Sequence, residues 1–330
     1  MARKIALTLI AVLLMSAALA LPHTSPSVKA NPGSQTWYMT DYLSGISGAN
    51  YRVIRASGNG SSDSLSITAG SSRVWAAASS SSADEASNIV CRMSGTWSVR
   101  LRAVAGSTGN RRLTVNIGVL SGGTFTSRGT SSTITVTTSF ANYNINVTTS
   151  GHTVNPGQYL ALRVNASGTS TIYLDVHDVT LSPCWVTSPS TADDYPGTVN
   201  INFTVTDYGS AGINFGSLNP GAVDQQEAAQ GPSQGAVALV IGADTNVNIN
   251  IQIKGTDFTS GGNTITISNV KYNNTNSTSG ASTLTTSYVT WYSVSAYTAN
   301  TRQCYHWISI PAGKAAGSYT STFSYQAVQQ

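Results

Sequence analysis

Charged residues are scarce in this chain of 330 residues, where Asp, Glu, Lys and Arg together make up 9% of the sequence. An average globular domain has about 25%. This scarcity excludes nucleic acid as an expected partner, because no cluster of lysine and arginine accompanies the aromatic residues. It does not indicate disorder, which pairs low hydrophobicity with high net charge. With 40% apolar residues, the chain can fill a packed core.

Cysteine is also rare, with three residues, Cys91, Cys184 and Cys304. Their spacing matches no zinc motif and no haem attachment motif, and we predict neither a metal nor a cofactor. Exported proteins commonly carry disulfides. We therefore predict a disulfide between Cys91 and Cys184, because both belong to the first half of the chain and Cys184 follows its last strand. Cys304 then remains a buried thiol.

Long helical patterns are lacking after residue 30. Apolar and polar residues alternate instead, which is typical of strands that bury one face. Residues 198–206 and 246–254 show this alternation most clearly, and residues 97–101 and 143–147 repeat it in the first half. Turns rich in Gly, Asn and Ser separate these strands. The sequence predicts an all-β fold of two antiparallel β-sandwich domains.

The first thirty residues have the layout of a secretory signal peptide. Arg3 and Lys4 precede an apolar run at residues 5–21, and small residues offer cleavage after Ala20 or Ala30. The competing interpretation is a membrane anchor, but about 17 residues is the lower limit for a span. We predict a cleaved signal peptide at residues 1–30, an extracellular or cell-surface location, and no membrane span after cleavage.

A stretch without alternation divides the rest of the chain. Residues 182–197 contain three prolines, and we predict a linker at 185–197 between domains at 31–184 and 198–330. The segment at residues 34–43 is predicted to pair with a sheet edge, either in its own domain or in a neighbouring subunit.

Two groups of motifs resemble secreted prokaryotic surface proteins. VNPGQYLALRVNAS at residues 154–167, together with TFTSRGTSSTITVT at 124–137, resembles a jelly-roll domain of secreted archaeal surface proteins. INFGSLNPG at 213–221 and WISIPAGKAAGSYTSTFSYQA at 307–327 resemble the Ig-like sandwiches of prokaryotic surface and filament proteins. The resemblance implies a jelly-roll-like first domain and an Ig-like second domain, and it supplies no functional residue.

Catalytic patterns in the sequence lack the context that they need. Residues 231–235 match G-x-S-x-G, but a nucleophile elbow requires a strand before the serine and a helix after it, so a turn is favoured. Asp84–Glu85 and Asp193–Asp194 are adjacent carboxylates, whereas glycoside hydrolysis uses two carboxyl groups roughly 5–10 Å apart across a cleft. We interpret both pairs as solvated loop charges and predict no catalytic residue and no enzymatic activity.

Asp175 and His177 lie on one face of a predicted strand, with Tyr173. They could bind a metal or a sugar, but without a third ligand a structural cross-strand pair is favoured. Asp63 and Asp178 could contribute to a structural Ca²⁺ site of the kind that sugar-binding jelly rolls hold. Since neither set is complete, the prediction of no metal stands.

Aromatic residues form two groups in the sequence. They are Trp37, Tyr38 and Tyr42 near the N-terminus, and Trp291, Tyr292, Tyr297, Tyr305 and Trp307 near the C-terminus. Exposed rings could stack on sugars. Core packing is the favoured interpretation, because large aromatic side chains dominate the cores of sandwiches.

Six asparagines stand in N-x-S/T sequons, namely Asn59, Asn146, Asn165, Asn202, Asn273 and Asn276. The abundance of Ser and Thr produces about this number by chance, so the number alone indicates nothing. Asn273 and Asn276 fall in a polar loop, where a glycan fits, and we predict glycosylation at these two positions.

The sequence predicts a non-catalytic, exported structural or adhesive protein of the cell surface, such as a component of a surface layer, sheath or filament. Its expected partners are copies of itself or other surface proteins. One alternative is a pair of carbohydrate-binding modules that holds polysaccharide. Another is an accessory chain of a hydrolase whose catalytic unit is a separate chain. Ordered polymers would favour the structural role, whereas retention of a soluble monomer on polysaccharide would favour carbohydrate binding.

Overall fold

The computed structural model of the chain describes residues 9–10, 33–55, 63–176, 184–206, 213–227 and 236–330. The chain forms two compact units, Val28–Val199 and Asn200–Gln330, the second together with Met1–Ser27. Antiparallel strands dominate both units, and the prediction of an all-β sandwich fold is confirmed. The helical content of the described residues is one 3₁₀ turn at Ile267–Asn269, and none of their helices is long and apolar enough to cross a membrane.

Most of the predicted signal peptide lies outside the described residues. The exception is strand β1 (Leu9–Ile10), which pairs antiparallel with Asn214–Gly216 of the second unit. Cleavage of the leader therefore stays a prediction.

Fourteen strands among the described residues build the first unit. They are β2 (Thr36–Leu43), β3 (Tyr51–Ile54), β4 (Asp63–Ile67), β5 (Ser72–Ala78), β6 (Cys91–Arg92), β7 (Gly95–Ala105), β8 (Arg111–Ser121), β9 (Thr124–Thr130), β10 (Ile134–Thr135), β11 (Ala141–Thr149), β12 (Thr153–Val154), β13 (Tyr159–Gly168), β14 (Ile172–Val176) and β15 (Trp185–Thr187). The main path of hydrogen-bonded neighbours runs β10-β8-β13-β5-β3-β2-β15-β7-β14-β4, with β9 beside β8 and β11 beside β7. The pairing of β3 with β5 is parallel.

The core of the first unit follows the alternation seen in the sequence. In β7, Trp97, Val99 and Leu101 are buried, and in β11 Ile145 and Val147 are buried on the facing positions. Three tryptophans anchor this core, because the side chains of Trp37, Trp75 and Trp97 are all fully buried. Burying such large rings supplies much of the hydrophobic stabilisation of a sandwich.

The predicted linker at 185–197 is wrong, because this segment belongs to the first unit. Strand β15 lies between β2 and β7 and pairs with both. Further along, the Tyr195 side chain is fully buried, and the Asp193 carboxylate accepts hydrogen bonds from Arg92. Prolines interrupt strand alternation because they lack a backbone N–H, but the residues between them still pack and pair.

The segment at residues 34–43 closes its own sheet. Strand β2 lies inside the path between β3 and β15, so its backbone groups are paired on both sides. Trp37 and Met39 point into the core and are fully buried. Of the two interpretations of this segment, the structure favours pairing within its own domain.

Twelve strands among the described residues build the second unit, apart from β1. They are β16 (Phe203–Thr206), β17 (Asn214–Gly216), β18 (Gln225–Gln226), β19 (Ala236–Ile241), β20 (Ile249–Gly255), β21 (Phe258–Ser260), β22 (Asn263–Ile265), β23 (Val270–Asn273), β24 (Ser282–Thr283), β25 (Val289–Val294), β26 (Asn300–Ile308) and β27 (Phe323–Gln329). One sheet runs β16-β19-β26-β23-β24 with β18 beside β26, and another runs β25-β20-β27. Strands β21 and β22 form a hairpin.

Phenylalanine rings and branched aliphatic side chains fill the core of the second unit. Phe258 lies 6.4 Å from Phe215 and 6.0 Å from Phe323 between ring centres, in edge-to-face geometry. Ile249, Ile251 and Ile253 of β20 are fully buried. This burial is the outcome that the alternation at residues 246–254 predicts.

The predicted disulfide between Cys91 and Cys184 is wrong, because all three cysteines of the chain are free, buried thiols. The Cys91 sulfur lies 3.5 Å from the Asp194 carbonyl oxygen. The Cys184 sulfur instead accepts a hydrogen bond from the Arg102 backbone N–H over 3.1 Å and donates one to the Asp175 carbonyl over 3.1 Å. The two thiols therefore have different neighbours, and a disulfide requires them to face each other closely.

Candidate functional site

One face of the sheet formed by β5, β13, β8 and β9 carries polar side chains that stand side by side. Successive side chains of a strand point to opposite faces. The buried residues on the core face are Leu113, Val115, Ile117, Leu162 and Val164. On the opposite face, Arg163 pairs with Asn116, Asn165 pairs with Thr114, and Asn116 pairs with Thr130. We call Asn116, Thr130, Arg163 and Asn165 the polar face.

Hydrogen bonds across three strands hold the polar face together. Asn165 Nδ2 donates to Asn116 Oδ1 over 2.6 Å, and Arg163 Nε donates to the same oxygen over 3.3 Å. Asn116 Nδ2 donates to Thr130 Oγ1 over 2.5 Å. The four remaining N–H groups of the Arg163 guanidinium make no hydrogen bond within the described part of the chain. They are therefore available to a ligand.

An aromatic ring borders the Arg163 guanidinium. Its central carbon lies 4.6 Å from the centre of the Phe125 ring, which is the geometry of a cation–π contact. Gly118 makes room for this ring, because a β-carbon there would lie 2.9 Å from Phe125 Cζ and 2.1 Å from the Thr126 carbonyl oxygen. Phe125 and Arg163 are both half-buried, so each keeps an accessible part.

An apolar cluster adjoins the polar face on the same side of the sheet. Val74, Ala76, Leu120 and Ala161 form its buried base, and Ile46, Ala49, Phe125 and Tyr159 pack against them. The loop that contains Ile46 covers this end of the face. The other end, with exposed Thr130 and half-buried Asn165, stays open.

The polar face offers guanidinium donors, amide groups and the edge of an aromatic ring within one open surface. Among the described residues, Arg163 forms no ion pair with a carboxylate. Hydroxyl groups of a ligand can accept from Arg163 and donate to the Asn165 oxygen, while the ring supports an apolar surface. This combination suits a polyhydroxylated ligand.

One carboxylate of each pair, Asp84 and Asp193, forms a structural ion pair, so the interpretation as solvated loop charges is wrong for these two residues. Asp84 and Arg52 are joined by bonds of 3.0 and 2.8 Å. Burial alone would raise the pKa of Asp84, but Arg52 and the Gly45 N–H together hold it below its ordinary value. Asp193, with a side chain only 3% exposed, pairs with Arg92 over 3.0 Å.

Asp175 also has a structural partner. Arg102 Nε donates to its Oδ2 over 2.8 Å, and the Asp175 side chain is buried. His177 and Asp178 lie outside the described residues, as does the G-x-S-x-G match at 231–235, and the side chain of Asp63 is not described either. Within the ranges that the structure describes, no three His, Cys, Asp or Glu side chains are grouped to hold a metal ion.

Both aromatic groups of the sequence contribute to the cores. Trp37, Tyr292 and Trp307 are buried, with 0%, 9% and 4% exposure. Trp291 and Tyr305 remain half-buried. The core interpretation therefore fits the largest members of each group, while Trp291 keeps an accessible part.

A second constellation, which the sequence did not indicate, lies in the core of the second unit. His306 Nδ1 is 3.3 Å from Glu227 Oε1, and its Nε2 is 3.4 Å from the Cys304 sulfur and 2.8 Å from the Tyr325 hydroxyl. Cys304 and His306 are both fully buried. Glu227 precedes His306 by 79 residues, so no local motif could reveal the pair.

Burial alone would lower the pKa of His306, but the Cys304 sulfur and the Glu227 carboxylate raise it to about 10. The protonated ring forms a buried ion pair with Glu227. Glu227 faces Nδ1 and Cys304 faces Nε2, on opposite sides of the imidazole, so the three do not converge on one metal ion. With the thiol buried, this cluster holds β18, β26 and β27 together through polar contacts.

The two predicted glycosylation sites differ in how their amides are used. Asn273 Nδ2, the atom that would carry a glycan, donates to the carbonyls of Ser277 and Ser279 over 2.9 and 3.1 Å. Asn276 is exposed, and its Oδ1 accepts from Gln226 over 2.8 Å. A glycan at Asn276 would cost fewer of the loop's own hydrogen bonds. Glycosylation at both positions stays a prediction.

No family model and no curated protein matches the chain. Part of it is similar to an aminopeptidase from the marine sediment archaeon Thaumarchaeota archaeon, with a TM-score of 0.33 and 13% identity over 47% of this chain and 36% of that chain. It is also similar to the N-terminal CBM22-1–CBM22-2 tandem domain of Paenibacillus barcinonensis Xyn10C, with a TM-score of 0.24 and 9% identity over 92% of each chain. Both scores are too low to carry an argument about fold or function.

Proposed function

We propose that this protein is a non-catalytic, exported adhesive protein of the cell surface that binds polysaccharide through the polar face of its first unit. The observation that carries the proposal is Arg163, which combines three features. Its guanidinium borders the Phe125 ring, is oriented by Asn116, and keeps most of its donors free of partners in the part of the chain that the structure describes. A structural arginine on a sheet surface would be expected to pair with a carboxylate, as Arg52 does with Asp84.

The chemistry fits a polysaccharide, and a neutral polymer tests the site without the general attraction of basic residues for an acidic chain. A sugar ring presents hydroxyl groups at its edge and C–H groups on its face, so it needs planar donors and acceptors beside an aromatic or aliphatic surface. The polar face offers the donors of Arg163, the amide of Asn165 and the ring of Phe125 in that arrangement. Since the sheet surface is open rather than a closed cavity, it suits a stretch of a long chain better than a free monosaccharide.

Affinity electrophoresis of the full chain through gels that contain neutral polysaccharides tests the proposal. We expect retardation by at least one such polymer, and we expect Arg163→Gln or Phe125→Ala to abolish it. Arg73→Gln is the matched control, because it removes the same charge from the neighbouring strand β5, where Arg73 pairs with Val164 and so points to the opposite side of the sheet. Equal retardation of wild type and Arg163→Gln would contradict the proposed site.

The competing function is structural, namely self-assembly of the protein into a surface layer, sheath or filament. Analytical ultracentrifugation of the full chain without polysaccharide separates the two. A monomer whose migration is retarded by polysaccharide in the gel supports adhesion through polysaccharide binding. Ordered polymers together with unretarded migration would replace the proposal by the structural role.

A further inference from the structure

Residues 200–330 of the second unit contain one arginine, and its side chain has aromatic rather than polar neighbours. Arg302 is the only arginine of the sequence after Arg163. Within the second unit, Lys271 pairs with Asp224 over 2.9 Å and Lys314 donates to the Thr264 carbonyl. The Arg302 side chain makes no hydrogen bond and no ion pair with any described residue.

Aromatic rings hold Arg302 in place. Its guanidinium carbon lies 4.0 Å from the centre of the Tyr292 ring and 5.9 Å from that of Trp291. The centre of the Trp291 ring lies 5.3 Å from that of Tyr292 and 5.5 Å from that of Tyr272, and both contacts are edge to face. Cation–π contacts orient a guanidinium without using its N–H donors. The aromatic rings therefore position the guanidinium of Arg302, and its five N–H donors make no hydrogen bond with the described residues.

Two further polar atoms near Arg302 also lack a hydrogen-bond partner among the described residues. Tyr292 is nine-tenths buried, and its hydroxyl makes no hydrogen bond. The Asn300 Oδ1 atom is likewise buried and unpaired. Asn300 and Arg302 are two apart on β26, so they share one face of the strand. Buried polar groups without partners are costly and commonly mark a place where a ligand or water completes the hydrogen bonds.

We infer that Arg302, Tyr292, Trp291 and Asn300 form a second binding site, and that its ligand is a carboxylate-bearing sugar residue of an acidic polysaccharide. The guanidinium of Arg302 fits a carboxylate through two parallel N–H···O bonds. The half-buried Trp291 supplies a face for the sugar ring. The Tyr292 hydroxyl and the Asn300 carbonyl supply a donor and an acceptor for neighbouring hydroxyl groups. This inference does not depend on the polar face of the first unit.

Isothermal titration calorimetry of the full chain with oligogalacturonate tests the site. The neutral comparison is the same oligomer with its carboxylates methyl-esterified. We expect the acid form to bind and the ester to bind at least about tenfold more weakly, since a charge-assisted pair is worth about 1.4 kcal/mol or more. Equal binding of the two forms, or no binding of the acid form, would overturn the inference.

Variants locate the binding. Arg302→Gln is expected to weaken binding of the acid oligomer at least about tenfold. Lys254→Gln is the matched control, because Lys254 also lies over an aromatic ring, 4.5 Å from the centre of Tyr288, and the change in net charge is the same. Arg302→Lys keeps the charge but loses the planar guanidinium. It replaces Arg302→Gln as the test variant if Arg302→Gln does not fold, and it is also expected to weaken binding of the acid oligomer. An equal loss in Lys254→Gln would show non-specific charge attraction and refute the site.

A further variant separates this site from the polar face. Arg163→Gln is expected to leave oligogalacturonate binding unchanged, whatever it does to retardation by neutral polymers. If Arg163→Gln abolished binding of the acid oligomer while Arg302→Gln did not, the carboxylate would bind in the first unit and the inference would be wrong.

Discussion

Asn165 Nδ2 donates a 2.6 Å hydrogen bond to Asn116 Oδ1 across the β8–β13 pair. Asn116 is 5% exposed, and its oxygen also accepts from Arg163. One amide therefore connects β8, β13 and, through Thr130, β9. The polar face depends on this amide for its geometry.

Asn116→Ala should destabilise the first unit by about 1–3 kcal/mol, because Asn116 is buried and its loss removes the hydrogen-bond acceptor shared by the half-buried Arg163 and Asn165. Asn144→Ala is the control, since Asn144 is exposed on β11 and a surface substitution changes stability by about 0.5 kcal/mol or less. Urea unfolding followed by tryptophan fluorescence measures both. Similar midpoints for the two variants would mean that the amide network is dispensable.

The three cysteines should be unreactive in the folded protein. Burial raises the pKa of Cys91 and of Cys184 to about 12, and thiolate is the reactive form. With Ellman's reagent at neutral pH we expect almost no reaction of the native chain and three thiols per chain in concentrated guanidinium chloride. Fewer than three thiols after unfolding without reductant would indicate a disulfide that the structure does not contain.

The second unit should lose stability in alkali because of His306. Its folded-state pKa of about 10 lies above the ordinary value of 6.5, so the ion pair with Glu227 contributes fully below pH 6.5 and its contribution is lost as the pH rises through 10. Glu227→Gln should cost about 3 kcal/mol at neutral pH and flatten the alkaline dependence.

Unfolding by guanidinium chloride between about pH 7 and pH 10.5 checks the role of Glu227. Glu85→Gln makes the same chemical change in the first unit and should leave the transition of the second unit unaltered. An alkaline loss of stability as steep in Glu227→Gln as in wild type would contradict the ion pair.

The first unit should lose stability in acid because of His152. This ring is fully buried, its centre lies 5.8 Å from that of the Trp97 ring, and neither of its nitrogens has a hydrogen-bond partner among the described residues. Burial first, and then the charge of Arg128, lower the pKa of His152 to about 4, from 6.5. Neutral His152 therefore supports folding above pH 6.5, and this contribution is lost as the pH falls through 4.

The loss amounts to on the order of 3 kcal/mol when both states are protonated. His152→Phe keeps the ring beside Trp97 and removes the titration. Urea midpoints at about pH 7.5 and pH 4.5 should differ less in this variant than in wild type. The same acid shift in both proteins would show that other groups govern acid sensitivity.

The sequence predicted the fold better than it predicted the contacts. Alternation located the core faces of β7, β11 and β20, because a period of two leaves few choices for a half-buried strand. It overestimated the strand at residues 198–206, where β16 covers only Phe203–Thr206. Prolines at 182–197 suggested a linker, although that segment supplies β15.

Long-range polar pairs were beyond the reach of the sequence. Arg52 and Asp84 are 32 residues apart, and Glu227 and His306 are 79 apart, so nothing local indicates that they meet. The polar face could not be predicted from the sequence for the same reason. Arg163 and Asn165 stand in the motif at 154–167, but their partner Asn116 comes from another strand, and only the β8–β13 register brings them together.

Hydrogen–deuterium exchange with and without a neutral oligosaccharide, prepared from a polymer that retards the chain, locates the polysaccharide site on the folded protein. We predict that backbone amides of β8, β9 and β13 exchange more slowly with ligand present, and that amides of residues 236–330 do not change. We also predict that Arg163→Gln shows no such protection. Protection that falls only outside β8, β9 and β13, or that persists in Arg163→Gln, would contradict the polar face as the polysaccharide site.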